Sequence, residues 1–289
     1  MVLPLVKASR PHQWIKNLFV AAPLIFARRI DDASATIHTL IAVGCFCLLS
    51  SAVYLLNDIV DIERDRAHPL KRHRPIASGK LSVGAARIAA FLFALVAIGT
   101  ATWLSPQLAA VATAYMMLNV AYSFWLKRVP FVDVGCIALG FLLRVLGGSF
   151  AIPVPASRWL LLCTGLLALL LGFGKRAHEL RVSGDKRATQ RLVLDRYPPG
   201  VLRTLITILS ILTTVAYSAY TQSAHAIMFV GRGLVFTVPF VAFGIYRFVR
   251  LTHARADDES PTEAMLRDKL FLLNLAAYAG AIFLIIYFR

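Results

Sequence analysis

Charge is scarce in this chain, and acid is scarcer than base. Only 16% of the 289 residues are charged, with 15 Asp and Glu against 31 Lys and Arg. A soluble domain of this length needs far more polar surface. Cysteine is rare too. Cys45, Cys47, Cys136 and Cys163 all fall in apolar runs, and none has a metal-ligand partner at useful spacing. They read as small buried or lipid-facing residues. No cleavable signal peptide is expected. The first apolar run contains a Pro and is followed by Arg28 and Arg29 instead of a small-residue cleavage site.

Oil is what the chain has in abundance: 58% of its residues are hydrophobic and its mean hydropathy is +0.68. Apolar runs of about 20 residues recur, each long enough to cross a bilayer of roughly 30 Å. Inside lipid only a helix or a closed barrel satisfies every backbone N–H and C=O. The runs are too long and too weakly alternating for barrel strands. The pattern predicts an all-α integral membrane protein with nine transmembrane helices, near 12–29, 35–56, 82–104, 106–125, 130–152, 157–174, 200–222, 231–250 and 267–288.

A net charge of +16 would suggest nucleic acid in a soluble protein. Its distribution says otherwise. Arg28, Arg29, Arg158, Arg232 and Arg289 fall on one side of the predicted spans, and Arg144 lies within one. Every other Lys and Arg falls on the side of the N-terminus. The asymmetry predicts a cytoplasmic N-terminus, cytoplasmic connectors at 57–81, 126–129, 175–199 and 251–266, and an outside C-terminus. Much of the charge is thus membrane topology, and no nucleic-acid partner is expected. The polar stretch 252–266 reads as a solvated connector.

One segment breaks the pattern. "NDIVDIERDRAHPLKRHRPIASG", Asn57 to Gly79, packs four carboxylates and five Lys or Arg residues together. Asp58, Asp61 and Asp65 are spaced by three and four, which places them on one face of a helix. Like charges so placed destabilise a helix unless a cation sits among them. Oxygen-only ligands select a hard ion, and Mg²⁺ is the usual choice where phosphates complete the shell. Asn57 adds a neutral oxygen, so the candidate metal set is Asn57, Asp58, Asp61 and Asp65; Glu63 points elsewhere. The rival reading is a solvated helix end stitched by Asp–Arg pairs. The basic half follows between Pro69 and Pro75 and offers Lys71, Arg72 and Arg74 to phosphate.

"NDIVDIERD" followed by "HPLKRHRPIASG" resembles the UbiA superfamily of intramembrane prenyltransferases, whose first motif is N-D-x-x-D-x-x-x-D. "YSFWLK", Tyr122 to Lys127, is similar to the family's Tyr/Lys element. The family's second motif, D-x-x-x-D, is replaced by "GFGKRAHELR", Gly172 to Arg181. Together with "RPHQWIKN", "LLRVLGGSFA" and "GKRAHEL", this resembles the polyprenyl-phosphate phosphoribosyltransferase branch. That resemblance implies one UbiA-like domain over 1–289, a helical bundle around a cytoplasm-facing cavity, and a bacterial-type cytoplasmic membrane. The implied donor is 5-phosphoribosyl diphosphate (PRPP) and the implied acceptor a polyprenyl phosphate, with Mg²⁺ as cofactor. A homo-oligomer is left open.

Within this resemblance Asp58, Asp61 and Asp65 grip the leaving diphosphate through the ion. Lys175 and Arg176, held by Glu179, stand where acids normally stand and suit the donor's second phosphate. Arg10, Lys16 and Lys127 lie at helix ends at the depth of a lipid phosphate, where Lys and Arg also snorkel. Asp133 and Arg144, eleven residues apart on one predicted helix, are ionisable groups at membrane depth. Asp133 orients a sugar hydroxyl or a basic side chain; Arg144 reaches a phosphate or locks its helix to a neighbour. Two rivals remain at this level. One is a prenyltransferase acting on an aromatic or small acceptor; the other is a transporter of an anionic metabolite.

Overall fold

The computed structural model describes residues 2–69, 71–183, 196–253, 264–265 and 267–287. Parts of two basic connectors, 184–195, 254–263 and 266, lie outside the described residues. Regular structure among the described residues is helical. The helices are α1 Val2–Ser9, α2 Ala22–Phe26, α3 Ala33–Val60, α4 Ile62–Ala67, α5 Val83–Leu104, α6 Pro106–Phe124, α7 Val132–Ala151, α8 Arg158–Ser183, α9 Pro199–Thr221, α10 Ala224–Phe229, α11 Val238–His253 and α12 Lys269–Tyr287. A 3₁₀ segment, Pro11–Ala21, joins α1 to α2. Helix starts follow capping chemistry. Asp32, Ser82, Ser105 and Ser223 each accept a backbone N–H three residues on. Arg29 and the Ala35 N–H hold the Asp32 carboxyl below the usual carboxylate range.

Among the described residues six helical stretches are long and apolar enough to cross a membrane: Ala33–Val60, Val83–Leu104, Val132–Ala151, Arg158–Arg181, Pro199–Thr221 and Arg232–Thr252, the last joining a 3₁₀ segment at Arg232–Thr237 to α11. The expectation of nine spanning helices is corrected on this count. The first expected span, 12–29, forms the 3₁₀ segment and the five-residue α2, with Pro23 in the first turn of α2. α6 forms as a helix, but Gln107, Asn119 and two tyrosines dilute its apolar character. The last expected span holds α12, Lys269–Tyr287, whose counted apolar stretch is Lys269–Ile285. A further boundary differs. α8 runs on to Ser183, so Lys175, Arg176 and Glu179 sit on its last turns rather than in a loop.

The chain forms two compact units. The first comprises Met1–Lys127 and Gly140–Ala156, the second Arg128–Leu139 and Ser157–Arg289. In the first, α3 is the central element: 56% of its apolar stretch is buried inside the protein, against 22% for α5, which faces lipid. Its core includes Val20, Ala42, Phe46, Leu49, Leu108, Tyr115 and Ile152. The ring of Phe46 meets that of Tyr115 edge-on at 5.3 Å. A Cβ at Gly148 would collide with the carbonyl of Val20, so glycine admits the 3₁₀ segment against α7. In the second unit Val134, Leu170, Phe173, Leu202, Ile206 and Phe248 form the core, and Gly172 makes room for the side chain of Val134.

Candidate active site

The aspartate triplet straddles a helix break. α3 ends at Val60, Asp61 sits at the junction with φ −98° and ψ 12°, and α4 begins at Ile62. The helical hydrogen bonds continue across it: the Asp61 N–H donates to the Asn57 carbonyl and the Asp65 N–H to the Asp61 carbonyl, both at 2.9 Å. The three-and-four spacing therefore keeps all three carboxylates on one side. His68 is extended before Pro69 and ends α4. The chain then doubles back through a 3₁₀ turn at Lys71–His73. Ile76 and Leu81 anchor this return by burying against Leu55, Ala52 and Ala86. Gly79, at φ 77°, closes the turn.

This return delivers Arg74 to the acids. Its Nη1 donates to Asp58 Oδ1 at 3.1 Å and to Asp65 Oδ2 at 2.7 Å. Arg10 reaches the same Asp58 oxygen from the opposite end of the sequence. It does so from a left-handed backbone, φ 52°, between α1 and the 3₁₀ segment, a conformation that costs of order 1–3 kcal/mol outside glycine. Its guanidinium lies over the Tyr54 ring, 5.0 Å from the centroid. Lys127 Nζ donates to both oxygens of Asp61 at 2.8 Å. Asp58, Asp65 and Lys127 are buried, while Asp61 is 30% exposed.

The other expected residues divide. Asn57 is half-buried beside Asp58, and Lys16 and Tyr122 are half-buried on their helices. Lys71 is half-buried, its backbone N–H on His68 Nδ1, and Arg72 is exposed with its Nε toward His73. Glu63, set aside on spacing, pairs with Arg66 at the surface. Arg144 lies in the first unit, 6% exposed. It donates to Asn17 Oδ1 at 2.8 Å, the Gly140 carbonyl at 3.0 Å and Tyr115 Oη at 2.7 Å. Its charge is stacked against the rings of Tyr115 and Phe141. These contacts lock α7 to α6 and the 3₁₀ segment.

Asp133 and Arg144 thus serve different networks, although both lie on α7. In the second unit Arg176 Nε lies 2.7 Å from Asp133 Oδ2, an ion pair without the linear geometry of a hydrogen bond. Arg176 also pairs with Glu179, as expected from their spacing. Tyr197 donates to Asp133 and accepts the Phe131 N–H at 2.6 Å. Burial, then the bond to Asp133, raises the Tyr197 hydroxyl above the ordinary phenol range, so it remains a donor. Asp133, Arg176 and Tyr197 are at most 2% exposed. Lys175, one residue before Arg176, is half-buried.

Sequence reasoning missed Asn17, Tyr54, Tyr115 and Tyr197. Asn17 lay inside the quoted "RPHQWIKN". The tyrosines gave no signal beyond a hydroxyl in or beside an apolar helix.

Oxygen donors at Asp58, Asp61 and Asp65 suit a hard divalent ion, and the guanidinium bridging Asp58 and Asp65 shows that a cation is accommodated between them. In the present arrangement the protein's own cations take that place. Among the described residues no three His, Cys, Asp or Glu side chains close on one point.

Residues 17–275 match the model of the UbiA prenyltransferase family. A decaprenyl-phosphate phosphoribosyltransferase of Mycolicibacterium smegmatis is 34% identical over 100% of this chain and 94% of its own length. One of Corynebacterium glutamicum is 33% identical over 98% of this chain and 86% of its own. Among solved structures, a UbiA homologue of Archaeoglobus fulgidus bound to DMAPP and Mg²⁺ superposes with a TM-score of 0.74 at 17% identity, covering 98% of both chains. The same homologue has also been solved with Cd²⁺, so metal binding occurs on this fold. This integral membrane protein therefore belongs to the UbiA prenyltransferase family, on the branch of the decaprenyl-phosphate phosphoribosyltransferases.

Proposed function

We propose that the chain, acting as one catalytic domain over 1–289, transfers the 5-phosphoribosyl group of PRPP to a polyprenyl phosphate of the decaprenyl type and releases diphosphate. The observation that carries this reading is the convergence of Asp58, Asp61 and Asp65 with Arg10, Arg74 and Lys127 at the end of α3, together with basic residues where the family's second acidic motif would stand.

Asn57, Asp58, Asp61 and Asp65 would hold the Mg²⁺. Bound there, the ion supplies Lewis-acid neutralisation of the departing diphosphate. Arg10 and Arg74 present guanidinium forks to phosphate oxygens, with Lys71 and Arg72 beside them on the returning loop. Lys127 keeps Asp61 oriented, and Lys16 and Tyr122 stand toward the lipid phosphate. An oxygen of that phosphate attacks ribose C1 while the C1–O bond to diphosphate breaks and the electron pair leaves with the diphosphate. The acceptor is already an anion at neutral pH, so no strong general base is required. In-line displacement inverts C1 through an oxocarbenium-like transition state. Arg144 and the Asp133–Arg176–Glu179 network act by position: the first fixes the 3₁₀ segment that carries Arg10, the second fixes the helix that carries Lys175.

We also propose that the N-terminus and the basic connectors face the cytoplasm, where PRPP is available. The test of the donor is ligand protection. With Mg²⁺ present, PRPP is expected to raise the unfolding temperature of the purified chain and farnesyl diphosphate to leave it unchanged. The reverse pattern would restore the prenyltransferase reading.

A further inference from the structure

The six charged groups at the end of α3 are balanced: three carboxylates face three cations, so the cluster is formally neutral. Arg74 Nη1 touches two acids from successive turns, Asp58 at 3.1 Å and Asp65 at 2.7 Å, which is the bridging position a divalent ion would take. Arg10 holds the same Asp58 oxygen. An ion arriving alone meets a balanced cluster and must expel a guanidinium whose ion pairs, among the described residues, are with these same acids. An ion arriving on a diphosphate brings those acceptors with it.

Resting on the donor reading above, we infer that Arg10 and Arg74 are exchangeable counter-ions, which occupy the divalent-ion position in the ligand-free protein and transfer to phosphate oxygens when the ion–donor complex enters. Exposure sorts the cations. The side chains of Arg10 and Arg74 are 23% and 30% exposed, and Arg74 sits on the returning loop rather than on a helix. Both can swing. Lys127 is 7% exposed and grips both oxygens of Asp61, so it stays.

The two steps then respond to these arginines with opposite sign. They compete with the ion alone and assist the donor. A purely structural side chain would weaken both on removal.

Mn²⁺, read by its electron paramagnetic resonance signal, serves as the probe on the full chain in detergent micelles. The wild type should bind Mn²⁺ weakly alone and at least about tenfold more tightly with PRPP, tenfold being one 1.4 kcal/mol step. Arg74→Gln should bind Mn²⁺ alone about tenfold more tightly and PRPP about tenfold more weakly. Arg74→Lys, which keeps the charge, should follow the wild type for Mn²⁺ alone. Thermal melts identify a misfolded variant, in which case Arg10→Gln carries the same pair of opposite shifts. Weakening of both ligands by Arg74→Gln, or Mn²⁺ binding in the wild type that ignores PRPP, overturns the exchange. Synergy with farnesyl diphosphate but not with PRPP supports the exchange and removes the donor assignment.

Discussion

Two buried acids, Asp58 in the first unit and Asp133 in the second, sit in networks of similar composition and opposite character. Asp58 is shared by two half-exposed arginines that arrive from loops. Asp133 is closed in by Arg176 and Tyr197, both almost inaccessible. The first network can trade partners with a ligand. The second has no route to do so without breaking its helix contacts. Acid and base in one place therefore do not define a site; the exposure of the cation separates an exchangeable cluster from a structural clamp.

The sharpest way to break this comparison is to remove one acid from each side. Asp61→Ala should cut phosphoribosyl transfer per folded molecule by about 10²–10³-fold, in the range of losing a principal transition-state charge partner, and it should lower the thermal melt as well, because it takes the carboxylate from the buried Lys127. Asp133→Ala should lower the melt and spare transfer. It leaves Arg176 with Glu179 but without its fully buried partner, removes the acceptor of the Tyr197 hydroxyl, and costs about 1–3 kcal/mol, read as a lowered unfolding temperature in micelles, while the PRPP KM of the folded fraction stays unchanged. A large KM effect would move Asp133 into the donor site. Arg144→Lys comes next. Lysine cannot reach Asn17, Gly140 and Tyr115 together, and the orphaned groups should cost about 1–3 kcal/mol. Glu63→Ala should be the smallest, with neither transfer nor melting altered. A substantial loss there would mean that spacing misjudged which carboxylates face the cluster.

Much of the site was legible in the sequence because spacing converts directly into geometry. Asp58, Asp61 and Asp65 at intervals of three and four remain on one side even across the break at Asp61. Arg176 and Glu179, three apart on one helix, pair as their spacing implies. Partners far apart in sequence were not legible. Nothing in the local pattern shows that Arg10 and Arg74 meet on one Asp58 oxygen, that Lys127 chelates Asp61, or that Tyr197 closes on Asp133. Those contacts depend on how loops return, which apolar anchors such as Ile76 and Leu81 decide. The helix count failed for a related reason. An apolar run states that a segment is buried in protein or lipid, but Pro11–Ala21 is wound as 3₁₀ and its Val20 packs against Gly148.

The most direct test is transfer itself. Membranes carrying the chain are incubated with ribose-labelled PRPP, Mg²⁺ and polyprenyl phosphate, and the organic phase is counted. A labelled lipid that forms with wild type, vanishes with EDTA and vanishes with Asp61→Ala, its anomeric carbon inverted, is the expected result. An organic phase that stays unlabelled, while the same membranes join a prenyl diphosphate to a small acceptor, would contradict it.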